Sequence, residues 1–224
     1  MNIVEYPDTD MMMIDLANRV AGELRQALDH EETVSLAVPG GTTPGPMFDD
    51  LCAADLDWSR VNVMLTDERW VPESSERSNT RLLCERLLTD RAAAARYVSL
   101  YTGQATPEAA AADLDAAVRP HLPLTVLVLG MGADMHTASI FPGADRLDDA
   151  LHGSDLVVPM RAPGAPEPRV TLAANVLKGA ISTHVLIVGD EKRAALERAR
   201  QLPAEEAPIS IVLRDAVIHW SKGD

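Results

Sequence analysis

The stretch L-T-V-L-V-L-G-M-G-A-D-M-H-T-A-S-I-F-P, residues 124–142, decides the fold class. Its first six residues are almost all apolar, without the alternation of a strand that has one face in solvent. Such continuous runs are typical of parallel sheets, in which both faces are covered. Gly130 and Gly132 end the run, and a short polar segment follows. We therefore expect a buried strand followed directly by a polar loop.

Similar β-rich runs occur on both sides of this strand. The clearest lie at Thr33–Val38, Val61–Thr66, Thr183–Val188 and Ile209–Leu213, and weaker candidates lie at Tyr97–Leu100 and Leu156–Pro159. Helical patterns separate them, and one face of the first helix carries Met13, Leu16, Ala17, Val20, Leu24 and Leu28. This alternation predicts a single α/β domain over residues 1–224, with a mostly parallel, Rossmann-like sheet and helices on both faces.

Two helix starts carry recognisable signals. Thr106 is a typical N-cap residue, and Pro107 suits the first helical position after it. Asp190 is predicted to cap a second helix, which runs through Lys192 and Leu196.

Composition excludes several classes of partner. The chain has 34 acidic and 20 basic residues, a formal net charge of -14, so we expect neither nucleic acid nor an anionic membrane as a partner. An anionic substrate then requires a local group of cations. Cys52 and Cys84 match no redox or metal spacing, and the first ten residues lack the features of a signal peptide, which predicts a cytoplasmic protein. The six histidines are scattered, so we expect no metal and no cofactor.

Ligands of parallel α/β sheets bind at the carboxyl ends of the strands, so the segments after predicted strands are the candidates for a site. Gly40 and Gly41 follow the run Thr33–Val38 and precede a predicted helix. Free N–H groups at a helix start favour an anion such as phosphate, and the hydroxyls of Thr42 and Thr43 can donate to it. The alternative is an ordinary turn with a threonine cap.

Two acids and an arginine follow the run Val61–Thr66. Asp67 is a candidate for orienting a hydroxyl or a water molecule, and Arg69 for meeting an anion or a developing oxyanion. The alternative is a solvated charge cluster, with Ser78 or Asn79 capping the next helix.

His136 is the best candidate for a general base, because an imidazole titrates near neutral pH. Asp134 is near enough in sequence to help set its tautomer. The alternative is a structural histidine bonded to a carbonyl group.

Arg169 and Lys192 each lie near the start of a predicted helix. Together they can bracket a phosphate, the arginine as a fork and the lysine as a point charge. The alternative for either residue alone is a solvated surface cation.

Taken together, these segments resemble the 6-phosphogluconolactonase family, within the wider group that includes glucosamine-6-phosphate deaminase/isomerase. The match follows the family's order and spans most of the chain. It consists of G-G-T-T-P from residue 40, D-E-R-W-V-P from residue 67, S-N from residue 78, L-G-M-G-A-D-M-H-T-A-S-I-F-P from residue 129, R-V-T-L from residue 169 and the turn Gly189–Lys192.

The resemblance implies a NagB/RpiA-like fold and the hydrolysis of 6-phospho-D-glucono-1,5-lactone to 6-phosphogluconate in the pentose phosphate pathway. The substrate, a sugar-phosphate lactone, is the expected partner, and we expect a monomer or a weak homodimer. Residue by residue, it implies a general base at His136 in the segment with Asp134, an active-site strand end at Asp67 and Arg69, a phosphate loop at Gly40, Gly41, Thr42 and Thr43, and phosphate-binding cations at Arg169 and Lys192.

Met135 departs from the pattern, because the family usually has glycine between the aspartate and the histidine. If the position requires a positive φ, methionine there adds about 1–2 kcal/mol of left-handed strain. If glycine served closeness to the substrate, the methionine side chain narrows the pocket.

Two other functions remain open at this point. One is an amino-sugar-phosphate isomerase/deaminase, whose branch continues past its histidine with Asn-Glu-Pro. The segment Ser139–Pro142 of this chain has no acid in that place. The other is a sugar-phosphate-binding protein in which Met135 has weakened catalysis.

Overall fold

In the computed structural model, which describes residues 2–223, the chain forms ten strands and seven α-helices. The strands are β1 (Asn2–Tyr6), β2 (Val34–Val38), β3 (Val61–Leu65), β4 (Asp67–Arg69), β5 (Arg96–Val98), β6 (Val126–Gly130), β7 (Val157–Met160), β8 (Arg169–Leu172), β9 (Ser182–Val188) and β10 (Val217–Ser221). The α-helices are α1 (Thr9–Leu28), α2 (Gly45–Leu51), α3 (Asn79–Arg86), α4 (Pro107–Val118), α5 (Leu147–His152), α6 (Ala174–Lys178) and α7 (Asp190–Ala199).

Seven strands form one sheet in the order β1-β10-β9-β6-β2-β3-β5, and each neighbouring pair is parallel. Every residue of β2 and of β3 is buried, as expected for strands covered on both faces. The predicted α/β fold class is confirmed, and the four apolar runs that predicted β2, β3, β6 and β9 are strands.

The prediction of a strand at Ile209–Leu213 is wrong. The chain forms a 3₁₀ turn at Pro208–Ile211, because the ring of Pro208 fixes φ and removes a backbone donor. Ile209, Val212 and Leu213 of this segment are buried in the core instead of in the sheet. The sheet gains β10 a few residues later, where the polar His219 obscures the strand pattern.

A second sheet was not predicted from the sequence. It is antiparallel, in the order β4-β8-β7, and its strands have only three or four residues. The weaker candidate at Leu156–Pro159 is therefore a strand of this small sheet. Because β4 begins two residues after β3 ends, the second sheet grows from the carboxyl edge of the main one.

The helices predicted at α1, α4 and α7 are present, but the predicted cap of α7 is wrong. The predicted apolar face of α1 is buried, and Thr106 accepts a hydrogen bond from Ala109 N at the start of α4. Asp190 does not cap α7, because it is already the first helical residue and Gly189 precedes it with φ 95°. Ser78 caps α3 by accepting from Arg81 N.

His219 of β10 is fully buried, and burial together with the neighbouring His184 lowers its pKa to about 3. The ring is thus neutral in the native protein at pH values at which an unfolded histidine, with a pKa near 6.5, binds a proton. Between about pH 6.5 and 3 the unfolded chain binds more protons, so this group makes stability fall as the pH falls.

We expect the free energy of unfolding to decrease on acidification with a contribution from His219 of up to about 1.4 kcal/mol per pH unit. Denaturant titrations of the native protein and of His219→Gln between pH 7 and pH 4 measure it. The stability difference between the two proteins should shrink as the pH falls. A constant difference would show that His219 does not titrate on unfolding.

Across residues 2–223, no helix combines the length and the apolar character that crossing a bilayer requires.

Candidate active site

Four neighbouring strands of the main sheet end at one edge and build the site there. Because β9, β6, β2 and β3 are adjacent and parallel, their carboxyl ends meet. A cavity of about 220 Å³ lies at this edge. Of the predicted residues, it brings together Gly40, Gly41, Thr43, Asp67, Arg69, His136, Arg169 and Lys192. Thr42 and Asp134 do not line it.

The turn after β2 carries the two glycines for different reasons. Gly41 has φ 81°, which favours glycine, whereas a methyl group on Gly40 would lie 2.0 Å from Cγ of Asn79. Gly40 was predicted as part of the phosphate loop, and the space on its Cβ side holds the Asn79 amide. Thr42 is exposed and outside the cavity, and its carbonyl accepts from Gly45 N at 3.1 Å. Thr43 lines the cavity.

His136 lies in the loop after β6 and pairs with Asp134. Its Nδ1–H donates to Oδ1 of Asp134 at 2.5 Å, because a carboxylate only accepts. In the neutral imidazole this leaves Nε2 as the acceptor, the form that a general base requires. Gly132 makes room for the pair, since a methyl group there would lie 2.3 Å from the imidazole ring. The Phe141 ring stacks on His136, with 4.1 Å between centroids.

Met135 adopts φ 66°, so the position does require the left-handed conformation that glycine favours. Its carbonyl accepts from Ile209 N at 3.1 Å, which ties the loop to the 3₁₀ turn at Pro208–Ile211. The side chain packs against the hydrophobic core and is not among the cavity-lining residues. Of the two consequences expected for this methionine, the structure shows the backbone strain and no narrowing of the cavity.

We expect Met135→Gly to be more stable than Met135→Ala by about 1 kcal/mol, because the two variants lack the same side chain and differ in left-handed strain. Thermal and denaturant unfolding of both proteins measure the difference. The matched control is Ala112→Gly in the interior of α4, where glycine should lower stability by about 1 kcal/mol. Equal stability of the two Met135 variants would contradict the strain.

Asp67 is buried at the start of β4 and accepts two hydroxyl hydrogen bonds. Ser139 Oγ donates to its Oδ2 at 2.6 Å, and Thr66 Oγ1 to its Oδ1 at 3.2 Å. Nη1 of Arg169 lies 3.9 Å from the same Oδ2 and donates to Ser139 Oγ at 3.4 Å. The carboxylate thus holds Ser139 and faces a buried guanidinium.

Arg69 and Arg169 stand directly opposite each other in the pairing of β4 with β8. Burial has the largest influence on the pKa of Arg169 and lowers it. The positive charge of the nearby Arg69 lowers it further. The Nε–H of each arginine is buried and has no hydrogen-bond partner among the described residues. Two buried cationic donors without partners, side by side at a cavity, indicate an anionic ligand.

Lys192 approaches the cavity from the first turn of α7, after the left-handed Gly189 at the end of β9. It is half-buried. The structure therefore brings both predicted phosphate cations to one cavity, although Arg169 comes from β8 and not from a helix start.

Sequence reasoning missed two polar residues at this site. Glu68 is fully buried and received no role, and Asn79, a cavity-lining residue, was considered only as a helix cap. The signal for Glu68 was its place directly after a buried apolar strand, where an unpaired acid is costly to bury. Within residues 2–223, no group of three or more His, Cys, Asp or Glu side chains is arranged to hold a metal ion.

The chain is similar to known proteins over nearly its whole length. The family model described as glucosamine-6-phosphate isomerases/6-phosphogluconolactonase matches residues 7–220. A 6-phosphogluconolactonase of Rhizobium meliloti is 43% identical over 99% of this chain and 98% of its own length. One of Pseudomonas aeruginosa is 43% identical over 92% and 88%. A crystal structure of a 6-phosphogluconolactonase from Shewanella baltica superposes with a TM-score of 0.96 at 32% identity, over 99% of this chain and 97% of that one.

A monomeric glucosamine-6-phosphate deaminase of the NagB superfamily also superposes, with a TM-score of 0.82, over 99% of this chain and 98% of that one. Its identity is 15%, so this likeness concerns the fold alone.

Proposed function

Since the chain belongs to the glucosamine-6-phosphate isomerase/6-phosphogluconolactonase family, we propose that it hydrolyses 6-phospho-D-glucono-1,5-lactone to 6-phosphogluconate, a step of the pentose phosphate pathway. The observation that carries the proposal is one cavity that holds a carboxylate-paired histidine together with cationic donors that have no hydrogen-bond partner within residues 2–223. A phosphorylated lactone needs both groups, a base for the attacking water and cations for the phosphate.

In the proposed mechanism the substrate phosphate is held by the N–H group of Gly41, the hydroxyl of Thr43, Arg169 and Lys192. A helix start after a glycine turn suits an anion, and the two cations add charge-assisted hydrogen bonds. This clamp brings the lactone carbonyl carbon near His136. Thr42, although part of the sequence prediction, has no place in this clamp because it lies outside the cavity.

His136 Nε2 then takes a proton from a water molecule as that water attacks the carbonyl carbon. Asp134 stabilises the imidazolium that forms, because it already accepts from Nδ1. Arg69 stabilises the negative charge on the carbonyl oxygen. When the bond to the ring oxygen breaks, the imidazolium returns its proton to that oxygen and the acid is released. In this scheme Asp67 orients Ser139 and balances the charge of Arg169.

The deaminase alternative is the weaker one in this site. Phe141 stacks on His136, in the segment where that branch carries its acid. Incubating the pure protein with 6-phosphogluconolactone and with glucosamine 6-phosphate separates the candidates, provided that spontaneous lactone hydrolysis is subtracted. Release of ammonia from the amino sugar would support the deaminase, and no turnover of either compound would support a binding protein.

The proposed mechanism uses no metal ion. Asp134, His136 and Arg69 supply the acid–base and electrostatic parts of the reaction, and no metal-ligand cluster exists among residues 2–223. Dialysis against a strong chelator is therefore expected to leave the rate of lactone hydrolysis unchanged. Loss of activity that one divalent ion restores would refute this part of the mechanism.

Charge and composition support the remaining parts of the proposal. The net charge of -14 disfavours nucleic acid as a partner, and two cysteines fit the cytoplasm. We infer that the protein acts there on its small substrate as a monomer or a weak homodimer. Sedimentation at several protein concentrations tests the oligomeric state.

A further inference from the structure

Asn79, the first residue of α3, places its side-chain amide on the wall of the cavity. The residue is only 3% exposed, yet it lines the cavity beside Gly40 and Asp67. The amide lies so close to Gly40 that a methyl group there would be 2.0–2.2 Å from its atoms. The glycine of the turn thus keeps the space that the amide occupies.

The orientation of this amide is fixed by its partner. Nδ2 of Asn79 donates to the carbonyl oxygen of Asp67 at 3.1 Å, and because that oxygen only accepts, the amide cannot be reversed. Oδ1 accepts no hydrogen bond from the described residues. It is also not one of the atoms of those residues that lack a partner and are closed off from solvent. It therefore presents an acceptor to the cavity. An acceptor suits a hydroxyl group and repels a phosphate oxygen.

Glu68 holds Asn79 in place from behind. Its buried carboxylate accepts from the backbone N–H groups of Arg69 at 2.7 Å, Asn79 at 2.9 Å and Thr80 at 2.7 Å. The hydroxyls of Ser78 and Thr80 donate to it at 3.1 and 2.7 Å. The N-terminus of α3 compensates its charge. Glu68 thereby joins the start of α3 to β4, which carries Asp67 and Arg69.

We propose that Asn79 Oδ1 accepts a hydrogen bond from a ring hydroxyl of the substrate and contributes to the choice of sugar, and that Glu68 is the residue that positions it. The proposal rests on the proposed lactonase function. It divides the cavity into a phosphate part, with Arg169 and Lys192, and a hydroxyl part next to Asn79 and Asp67.

The test uses 6-phosphogluconolactone and its 2-, 3- and 4-deoxy analogues as substrates of the native protein and of Asn79→Ala. If Asn79 binds one hydroxyl, the variant should lose about 10-fold to 100-fold in kcat/KM on the complete lactone and far less on the one analogue that lacks this hydroxyl. Glu68→Gln should give the same pattern, because either orientation of its amide turns an NH₂ group toward donors. An equal loss on all four substrates would show that Asn79 acts only as structural support.

Asn175→Ala is the matched control. Nδ2 of Asn175 also holds backbone carbonyls, those of Gly153 and Asp155, but outside the cavity, so all four rates should stay unchanged. If the Asn79 variant does not fold, the NMR resonance of the Asn79 side-chain amide in the native protein tests the proposal. It should shift with 6-phosphogluconate and not with inorganic phosphate. A native protein without lactonase activity refutes the proposed function itself, and an active one with an unshifted resonance refutes only the role of Asn79.

A second and independent inference concerns a partly buried chain of hydrogen bonds outside the cavity. Glu23 Oε2 contacts His184 Nε2 at 3.0 Å, and His184 Nδ1 contacts His219 Nε2 at 3.0 Å. His219 Nδ1 contacts the hydroxyl of Tyr6 at 2.8 Å, and that hydroxyl donates to Asp15. The chain therefore links α1 and β1 to β9 and β10 through four contacts.

The number of protons in this chain can be counted. Each of the four contacts needs one hydrogen, and the two carboxylates at its ends only accept. Neutral His184, neutral His219 and Tyr6 bring one hydrogen each, which makes three. We infer that the chain binds a fourth proton and that His184 is an imidazolium in the native protein.

The neighbouring groups agree on the place of this proton. Although burial acts in the opposite direction, the hydrogen bond from His184 lowers the pKa of Glu23, and those from Tyr6 and Arg19 lower that of Asp15. Both carboxylates thus stay ionised. Burial keeps His219 neutral, with its pKa lowered to about 3. The remaining polar neighbour, Ser182 Oγ, lies 3.4 Å from His184 Nε2 and cannot fill the contact with Glu23.

Nitrogen-15 NMR of the imidazole rings at pH 7 tests the count. Both nitrogens of His184 should carry hydrogen in the native protein. In Tyr6→Phe only the contacts of His184 with Glu23 and His219 remain, and two neutral histidines satisfy them, so one nitrogen of His184 should lose its hydrogen. Tyr101→Phe, which removes a hydroxyl elsewhere, should change nothing. A native His184 with a single protonated nitrogen would overturn the inference, whether or not the Tyr6 variant folds.

Discussion

Replacing His136 by alanine or asparagine is expected to lower kcat by about 10²-fold to 10⁴-fold, with the fold intact. His136 is 29% exposed at its side chain and sits in a loop, so truncating it leaves the core unchanged. KM should change little, because the residues that hold the phosphate come from other strand ends. Circular dichroism and steady-state kinetics of the variants, after subtraction of the spontaneous reaction, measure both.

The pH dependence of kcat/KM gives the same base a second signature. A protonated imidazole cannot take a proton from water, so activity should fall toward low pH in the native protein, and the variant should lose this limb. His152→Ala is the matched control, because His152 also pairs with a carboxylate, that of Glu205, but at the surface. A His136 variant with near-native kcat would point to Asp67 as the group that activates the water.

Asp134→Asn offers a finer comparison within the same pair. The asparagine oxygen still accepts from Nδ1, but it no longer offers a negative charge to the imidazolium. A smaller decrease in kcat than that of His136→Ala is expected. Comparing the two decreases in kcat separates the contribution of the His136 imidazole from that of the Asp134 charge, which stabilises the imidazolium.

The central strands were predictable because each is marked by a pattern within its own few residues. An apolar run such as Val34–Val38 reports directly on a strand that is covered on both faces. The inner strand Val217–Ser221 is different, because it carries the buried polar His219, whose partners Tyr6 and His184 lie 213 and 35 residues away in the sequence. A sequence pattern cannot show such partners. The strand was therefore predicted at the apolar segment Ile209–Leu213 instead.

The lining of the cavity was predictable to a similar extent. Glycines, His136 and the cations stand at the carboxyl ends of predicted strands, and parallel topology alone brings those ends together. Glu68 and Asn79 were missed because their roles depend on hydrogen bonds between the first turn of α3 and β4. Thr42 was included because its residue type suited phosphate, whereas the turn directs it into solvent.

Removing either phosphate cation, by Arg169→Ala or Lys192→Ala, is expected to raise KM by about 10-fold to 100-fold and to leave kcat nearly unchanged. The phosphate does not change during hydrolysis, so both cations should bind it equally in the ground state and in the transition state. The larger effect is expected at Arg169, whose Nε–H is buried beside Arg69 and has no hydrogen-bond partner in the described part of the chain.

The dephosphorylated substrate, glucono-1,5-lactone, isolates this contribution. The native protein should hydrolyse it poorly, and neither substitution should slow it much further, because the group that the cations bind is missing. Lys178→Ala, an exposed lysine at the end of α6, controls for the loss of positive charge. Arg169 also faces Asp67 at 3.9 Å, so unfolding curves of Arg169→Ala must accompany its kinetics. Equal turnover of both lactones by the native protein would refute the clamp, because the phosphate would then contribute nothing that these two cations recognise.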